Sequence, residues 1–280
     1  MVILFVKRYY TIIIPIKLFY KNSSSRGTTM FIRSEKSIKE FIKFYPVVST
    51  IVMIHLALLV IIRILSLPIG DQLYQWGAGS NILIHEGQYW RLLTSIFFHA
   101  GFSHALFNSF ALVLFGPALE QMLGKTKFIS TYLFAGIAGN LGTYVIEPTA
   151  FYTYIGASGA IYGLLGLYIF MILFRKHLID SQNARIVVVI VVIGLIMTFI
   201  RPEINVYAHI FGFLGGMVLG PVVLTNTQPF SIRRGHSHSG STQFNPDRWQ
   251  NKRKNSSVLK IVLWTAFIIL VVLGIFGRFF

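Results

Sequence analysis

Of 280 residues, 54% are hydrophobic and only 12% charged, too few to cover a soluble domain, where about a quarter of residues carry charge. The chain therefore reads as a polytopic membrane protein, and its net charge of +16 becomes a question of where Lys and Arg sit relative to the apolar spans. The absence of cysteine excludes disulfides, thiolate metal sites and a cysteine nucleophile.

Residues 1–46 contain no uninterrupted apolar stretch long enough to span a bilayer, because Lys7-Arg8, Pro15 and Lys17 break the opening segment. There is no signal-peptide cleavage pattern, and Met30, after a Ser-rich stretch, is a candidate translation start. Residues 31–44 form a basic amphipathic pattern. Phe31, Ile38, Phe41 and Ile42 oppose Arg33, Lys36, Lys39 and Lys43, and the segment is expected on the inner leaflet.

Seven apolar segments follow, at about 47–66, 104–123, 127–146, 156–174, 186–200, 206–224 and 258–277. Most approach the ~20 residues a spanning helix needs, the fifth being short. The expected fold is an all-α transmembrane bundle. Its expected parts are a cytoplasmic segment 1–46, a six-helix core 47–224, a basic linker 225–257 and a final helix within 258–280. The linker's His236 and His238 read as part of a flexible tether, since no other ligands converge on them in sequence.

Lys and Arg alternate along the connections. Residues 1–46 carry nine, and 67–103 only Arg91. The 124–127 turn has Lys125 and Lys127, and 147–155 has none. Residues 175–185 have Arg175, Lys176 and Arg185, and the next loop only Arg201. The linker has six, from Arg233 to Lys254. The positive-inside rule then puts the N-terminus in the cytoplasm and the C-terminus outside, in a plasma-membrane protein. The charge is a topology signal, and nucleic acid is not an expected partner; the bilayer is.

Polar groups within spans are functional candidates. Ser158 lies 17 residues before Arg175, His209 16 before Thr225, and Asn108 17 before Lys125. At 1.5 Å per residue all three sit ~25 Å above the inner boundary, near the outer face of a core ~30 Å thick. His209, Gly212 and Gly216 share one helix face. Ala208, Gly212, Gly216 and Gly220 form a small-residue ladder, and Gly159 and Gly163 flank Ser158 in the fourth span. Small residues at this spacing let helices approach closely.

These residues resemble the motifs of rhomboid intramembrane serine proteases. Gly156-Ala157-Ser158-Gly159 resembles the family's GxSG, and Ala208-His209-Ile210-Phe211-Gly212-Phe213-Leu214-Gly215-Gly216 its AHxxGxxxG. His104-Ala105-Leu106-Phe107-Asn108 resembles HxxxN, and Trp90-Arg91 the Trp-Arg pair of the first external loop. Glu120 and Tyr162 also fall where the family has Glu and Tyr. The likeness covers about residues 45–224, and the extra span matches rhomboids with six helices plus one.

The resemblance implies a Ser158–His209 dyad, an oxyanion hole completed by His104 and Asn108, and Tyr162 orienting the imidazole. Gly156, Gly212, Gly216, Trp90, Arg91 and Glu120 are expected in support, with Glu86 as a partner for Arg91. It also implies transmembrane-protein substrates cut near the outer face; no cluster of metal ligands converges in the core, so no metal or other cofactor is expected. His99 and His55 are expected to be structural. The alternatives are a catalytically silent rhomboid-like binding protein and a transporter. A zinc reading of His85-Glu86 fails because Tyr89 stands where HExxH needs its second histidine.

Overall fold

The computed structural model describes residues 30–31, 35–65 and 67–231. The expected segment 1–29, the linker from residue 232 and the seventh helix at 258–277 lie outside the described residues. Within them the chain is helical almost throughout, as expected.

Ser37 starts the short helix α1 (Ile38–Phe44), its Oγ accepting from the Glu40 amide at 3.2 Å. The helix α2 (Pro46–Leu59) begins on a proline and runs on into a π-turn at Val60–Ile64. The orphan amides at the start of α2 find a carboxylate: Val47 N and Val48 N donate to Glu120 at 2.9 and 2.8 Å. A buried anion at a helix N-terminus satisfies both free donors and the helix dipole.

Glu120 belongs to α6 (Phe102–Leu123), which turns at Gly124 (φ 78°) straight into α7 (Lys125–Ile146). The helices α8 (Ser158–Phe174), α9 (Ser181–Ile200) and α10 (Val206–Val223) complete the bundle. Among the described residues five helices are long and apolar enough to cross a membrane: α2 with its π-turn, α6, α7, α9 and α10.

α8 is the short span, at 17 residues. It is also the central one, packing on α6, α7, α9 and α10, with Leu164, Leu167, Tyr168 and Met171 fully enclosed. A helix apolar all round belongs inside. At ~25 Å long it falls short of the ~30 Å hydrocarbon thickness, and Ser158 is its first residue.

This corrects two expectations. The fifth span is not short, because Asp180 caps α9 by accepting from Gln182 N and Asn183 N and extends the helix back to Ser181. Phe31 does not face an inner leaflet. It is buried edge-on against Phe115 and Tyr168, with ring centroids 5.3 and 5.6 Å away, and Met30 N donates to Asn183 Oδ1.

Between α2 and α6 the chain folds into α3 (Pro68–Gly77), α4 (Asn81–His85), α5 (Arg91–Thr94) and a 3-10 turn at Ser95–Phe97. Strands β1 (Gly79–Ser80) and β2 (Thr153–Tyr154) pair antiparallel, Gly79 with Tyr154 and Ser80 with Thr153. This pairing ties the long loop to the chain just before Ser158.

Candidate active site

α8 and α10 cross with their backbones nearly touching. A Cβ on Gly212 would meet the carbonyl oxygen of Gly159, and one on Gly216 that of Gly163. In return, a Cβ on Gly159 would lie 3.1 Å from Ala208 O and one on Gly163 3.0 Å from Gly212 O. The glycines interlock in two steps because no side chain stands between the helices. Gly220, the last rung expected from spacing, instead meets the Phe170 ring.

This packing brings the first turn of α8, which Ser158 opens, against the first turn of α10, which carries His209: the Cβ position of Gly159 lies 3.1 Å from Ala208 O. Tyr162, one turn below Ser158, stacks on the imidazole with ring centroids 4.1 Å apart and planes 18° apart. His209 is buried, and its Nδ1 lies 2.8 Å from Thr198 Oγ1. The same Thr198 oxygen is 3.0 Å from Tyr162 Oη and 2.8 Å from the carbonyl of Gly194. The ring's other nitrogen, Nε2, is free of Thr198.

Among the described residues the Ser158 hydroxyl has no hydrogen-bond partner. Catalytic hydrogen bonds are often long before substrate closes a site. Ala157 precedes the helix without a side-chain cap, so the amides at the head of α8 have no intrahelical acceptor.

Opposite Ser158 stands His104. Gly156 has φ 135°, and a Cβ there would lie 2.9 Å from His104 Nε2 and 2.8 Å from its Cε1. Glycine is required at 156 on both counts, backbone and space. Ala100 N donates to His104 Nδ1 at 3.4 Å. That nitrogen therefore accepts, and the neutral ring carries its proton on Nε2, the atom facing Gly156. Asn108, in the second turn of α6, gives one amide hydrogen to His104 O at 2.9 Å and keeps a second.

His99 and His55 pack beside His104, with centroid separations of 5.1 Å from His104 to His99 and 4.6 Å from His99 to His55. His55 Nε2 lies 3.5 Å from Tyr132 Oη. Burial first, then the neighbouring imidazoles, hold His99 below the usual histidine range.

Arg91 is buried, but Glu86 is not its partner. Its Nε donates to Gln88 Oε1 at 2.8 Å and a terminal nitrogen donates to Ala78 O at 2.6 Å. Glu86 is exposed at the end of α4; the turn brings Gln88, not Glu86, alongside the guanidinium. Trp90 stacks on Trp76 (5.8 Å, 18°) and donates to the Trp76 carbonyl. Asn140 of α7 donates to Leu92 O and Ser95 Oγ at 2.8 and 2.9 Å, and Gly156 N donates to Ser95 O at 2.9 Å. The long loop, α7 and the approach to Ser158 are thus one hydrogen-bonded frame. Glu120 is remote from it, at the opposite end of α6.

A family model described as Rhomboid domain matches residues 86–226. The chain is 45% identical over 193 residues to "Putative rhomboid protease YdcA" of Bacillus subtilis (strain 168), covering 68% of this chain and 94% of that one. The chain belongs to the rhomboid family. It is also 38% identical over 146 residues to Rhomboid protease GluP of the same organism, and 30% over 182 residues to Rhomboid-type serine protease 2 of Emericella nidulans. Those alignments cover 52% and 61% of this chain but only 28% and 35% of the relatives. With its apolar helices, this rhomboid is an integral multi-pass membrane protein.

Sequence reasoning passed over Thr198, Asn140, Asn205 and Asn81. Asn205 Oδ1 caps α10 through Ala208 N and also accepts from Thr143 of α7 at 3.1 Å. Asn81 bridges Tyr154 Oη and Glu147 O at 2.9 and 2.7 Å. For Thr198 the signal was present: a polar residue in the strongly apolar α9, close in sequence to His209.

Proposed function

We propose that this rhomboid hydrolyses peptide bonds in the transmembrane segments of other membrane proteins, near the outer face, with Ser158 as nucleophile and His209 as base. It is a serine endopeptidase of the hydrolase class, in keeping with the names of its relatives. The observation that supports the dyad best is the Tyr162–His209 stack: the residue one turn below Ser158 lies flat on the imidazole, so the serine at the head of the same helix is one helical turn from the ring's partner.

The Ser158 hydroxyl gives its proton to His209 Nε2 as its oxygen bonds to the scissile carbonyl carbon. The carbonyl oxygen gains negative charge and is met by the amides at the head of α8, by His104 Nε2–H and by the second amide hydrogen of Asn108. His209 then returns the proton to the leaving amine, and the C–N bond breaks. Water, deprotonated by the same imidazole, releases the acyl group from Ser158. Among the described residues no carboxylate shares the site, which supports a dyad working without a cofactor.

The site is recessed because α8 is short, and water enters from the nearer face without crossing the bilayer. A substrate helix hides its carbonyls in hydrogen bonds, so it must unwind locally to be cut. Segments with helix-destabilising residues near the outer face are the substrates that fit. The alternating charges of the loops support a cytoplasmic N-terminus and an outside C-terminus; the plasma membrane is the proposed location, with residues 47–224 as the proposed catalytic unit.

The test is cleavage of a model single-span substrate in proteoliposomes. Ser158→Ala and His209→Ala should each abolish cleavage while keeping the fold. Full activity in either variant refutes the assignment.

A further inference from the structure

We propose that Thr198 is a positioning residue for the reaction, acting as the hydrogen-bond acceptor that fixes His209 as its Nδ1–H tautomer and so leaves Nε2 unprotonated toward Ser158. The inference rests on the proposed role of His209 but is carried by a separate observation, the three contacts around one hydroxyl.

Thr198 Oγ1 has one proton and two lone pairs. Its three neighbours are Gly194 O at 2.8 Å, Tyr162 Oη at 3.0 Å and His209 Nδ1 at 2.8 Å. The Gly194 carbonyl can only accept, so the Thr198 proton must point to it. A proton aimed elsewhere would leave two oxygens facing each other at 2.8 Å with no hydrogen between them. With that proton committed, Oγ1 can only accept from the other two neighbours. Tyr162 Oη–H donates one hydrogen bond and His209 Nδ1–H the other. Only this assignment satisfies all three contacts at once.

A neutral imidazole carries one N–H. Holding it on Nδ1 leaves the lone pair on Nε2, the nitrogen that must accept the Ser158 proton. When Nε2 becomes protonated, Nδ1–H keeps the same acceptor, so the network serves the imidazolium unchanged. Tyr162 contributes twice, by stacking on the ring and by occupying the second lone pair of Thr198. The orienting part that a carboxylate plays in a triad falls here to a hydroxyl whose own proton is locked by the i−4 carbonyl of α9. Threonine is suited to this because its methyl packs while the oxygen bonds back to the helix.

The test uses the full-length protein in bilayers. Nitrogen-15 spectra of histidine-labelled protein, with His209→Gln as the assignment reference, should show His209 neutral with its proton on Nδ1. A proton on Nε2 in the wild type overturns the proposal whatever the variants do. Thr198→Val keeps the shape and removes the acceptor. It should lower kcat about 10- to 100-fold, the range found when a metal-bound histidine loses its outer hydrogen-bond partner, leave KM unchanged and shift His209 toward the other tautomer. Thr198→Ser should restore most of the loss. Thr198→Val with wild-type kcat, or Thr198→Ser as impaired as Thr198→Val, overturns it. Fluorophosphonate reaction at Ser158 separates the two claims: a wild type that does not react refutes the dyad itself, whereas Thr198→Val reacting as fast as wild type refutes only the role of Thr198.

Discussion

The phenol ring of Tyr162 lies on the imidazole of His209, centroids 4.1 Å apart and planes 18° from parallel, while its hydroxyl reaches the threonine that holds the same imidazole. Ring and hydroxyl therefore have separable roles. Tyr162→Phe keeps the stack and should lose less than tenfold in kcat, a loss of about 1.4 kcal/mol or less. Tyr162→Ala opens a cavity that costs about 3–5 kcal/mol in a buried aromatic position and releases the imidazole, and should lose most activity. Steady-state kinetics with thermal unfolding of both variants checks this; equal losses would mean that the stack contributes nothing.

The interlocked glycines make a stability prediction. Gly216→Ala drives a methyl into the Gly163 carbonyl and Gly212→Ala into that of Gly159. Backbone cannot yield as a side chain can, so each should destabilise by more than the ~1–3 kcal/mol usual for overpacking. Gly101, extended and with nothing within 4 Å of its Cβ position, is the control: Gly101→Ala should unfold at the wild-type temperature.

Gly156 is a more local case. Gly156→Ala strains a backbone at φ 135° and presses on His104; such strain costs about 1–3 kcal/mol. The bundle should remain folded while kcat drops, and circular dichroism beside a cleavage assay separates the two. A fully active Gly156→Ala would show that His104 has no part in the reaction.

Loss of a principal oxyanion donor costs about 10²–10³ in rate, but here helix amides share the task with two side chains. His104→Ala and Asn108→Ala should each slow turnover by less than that, and by less than Ser158→Ala. If both match wild type, the oxyanion site lies elsewhere.

The spans and their order were legible because the apolar segments are long and the charged breaks between them short. That Ser158, His209 and Asn108 fall in the opening turns of their helices was legible because helix rise is constant. The fold of the first long loop was not. α3, α4 and α5 are too short to show a period, and β1 pairs with a strand more than seventy residues away. Arg91 was expected to find Glu86 because charge is what a sequence displays; it finds Gln88 and a carbonyl instead. Thr198 was visible as a polar residue in an apolar span, but its part in the site was not. A threonine in a membrane helix ordinarily bonds its own i−4 carbonyl, and this one does so while its oxygen also lies 3.0 Å from Tyr162 Oη and 2.8 Å from His209 Nδ1. Phe31 looked like part of an amphipathic stripe, but the cavity between Phe115 and Tyr168 that it fills is built from distant helices.

The claim at the centre of this account is that Ser158 is a nucleophile activated by His209, and covalent capture tests it most directly. The protein in bilayers should be treated with a fluorophosphonate and the adduct mapped by mass spectrometry. The account requires one adduct, on Ser158, absent in Ser158→Ala and strongly slowed in a folded His209→Ala. No adduct on Ser158 in the wild type, or an undiminished rate in His209→Ala, would contradict it.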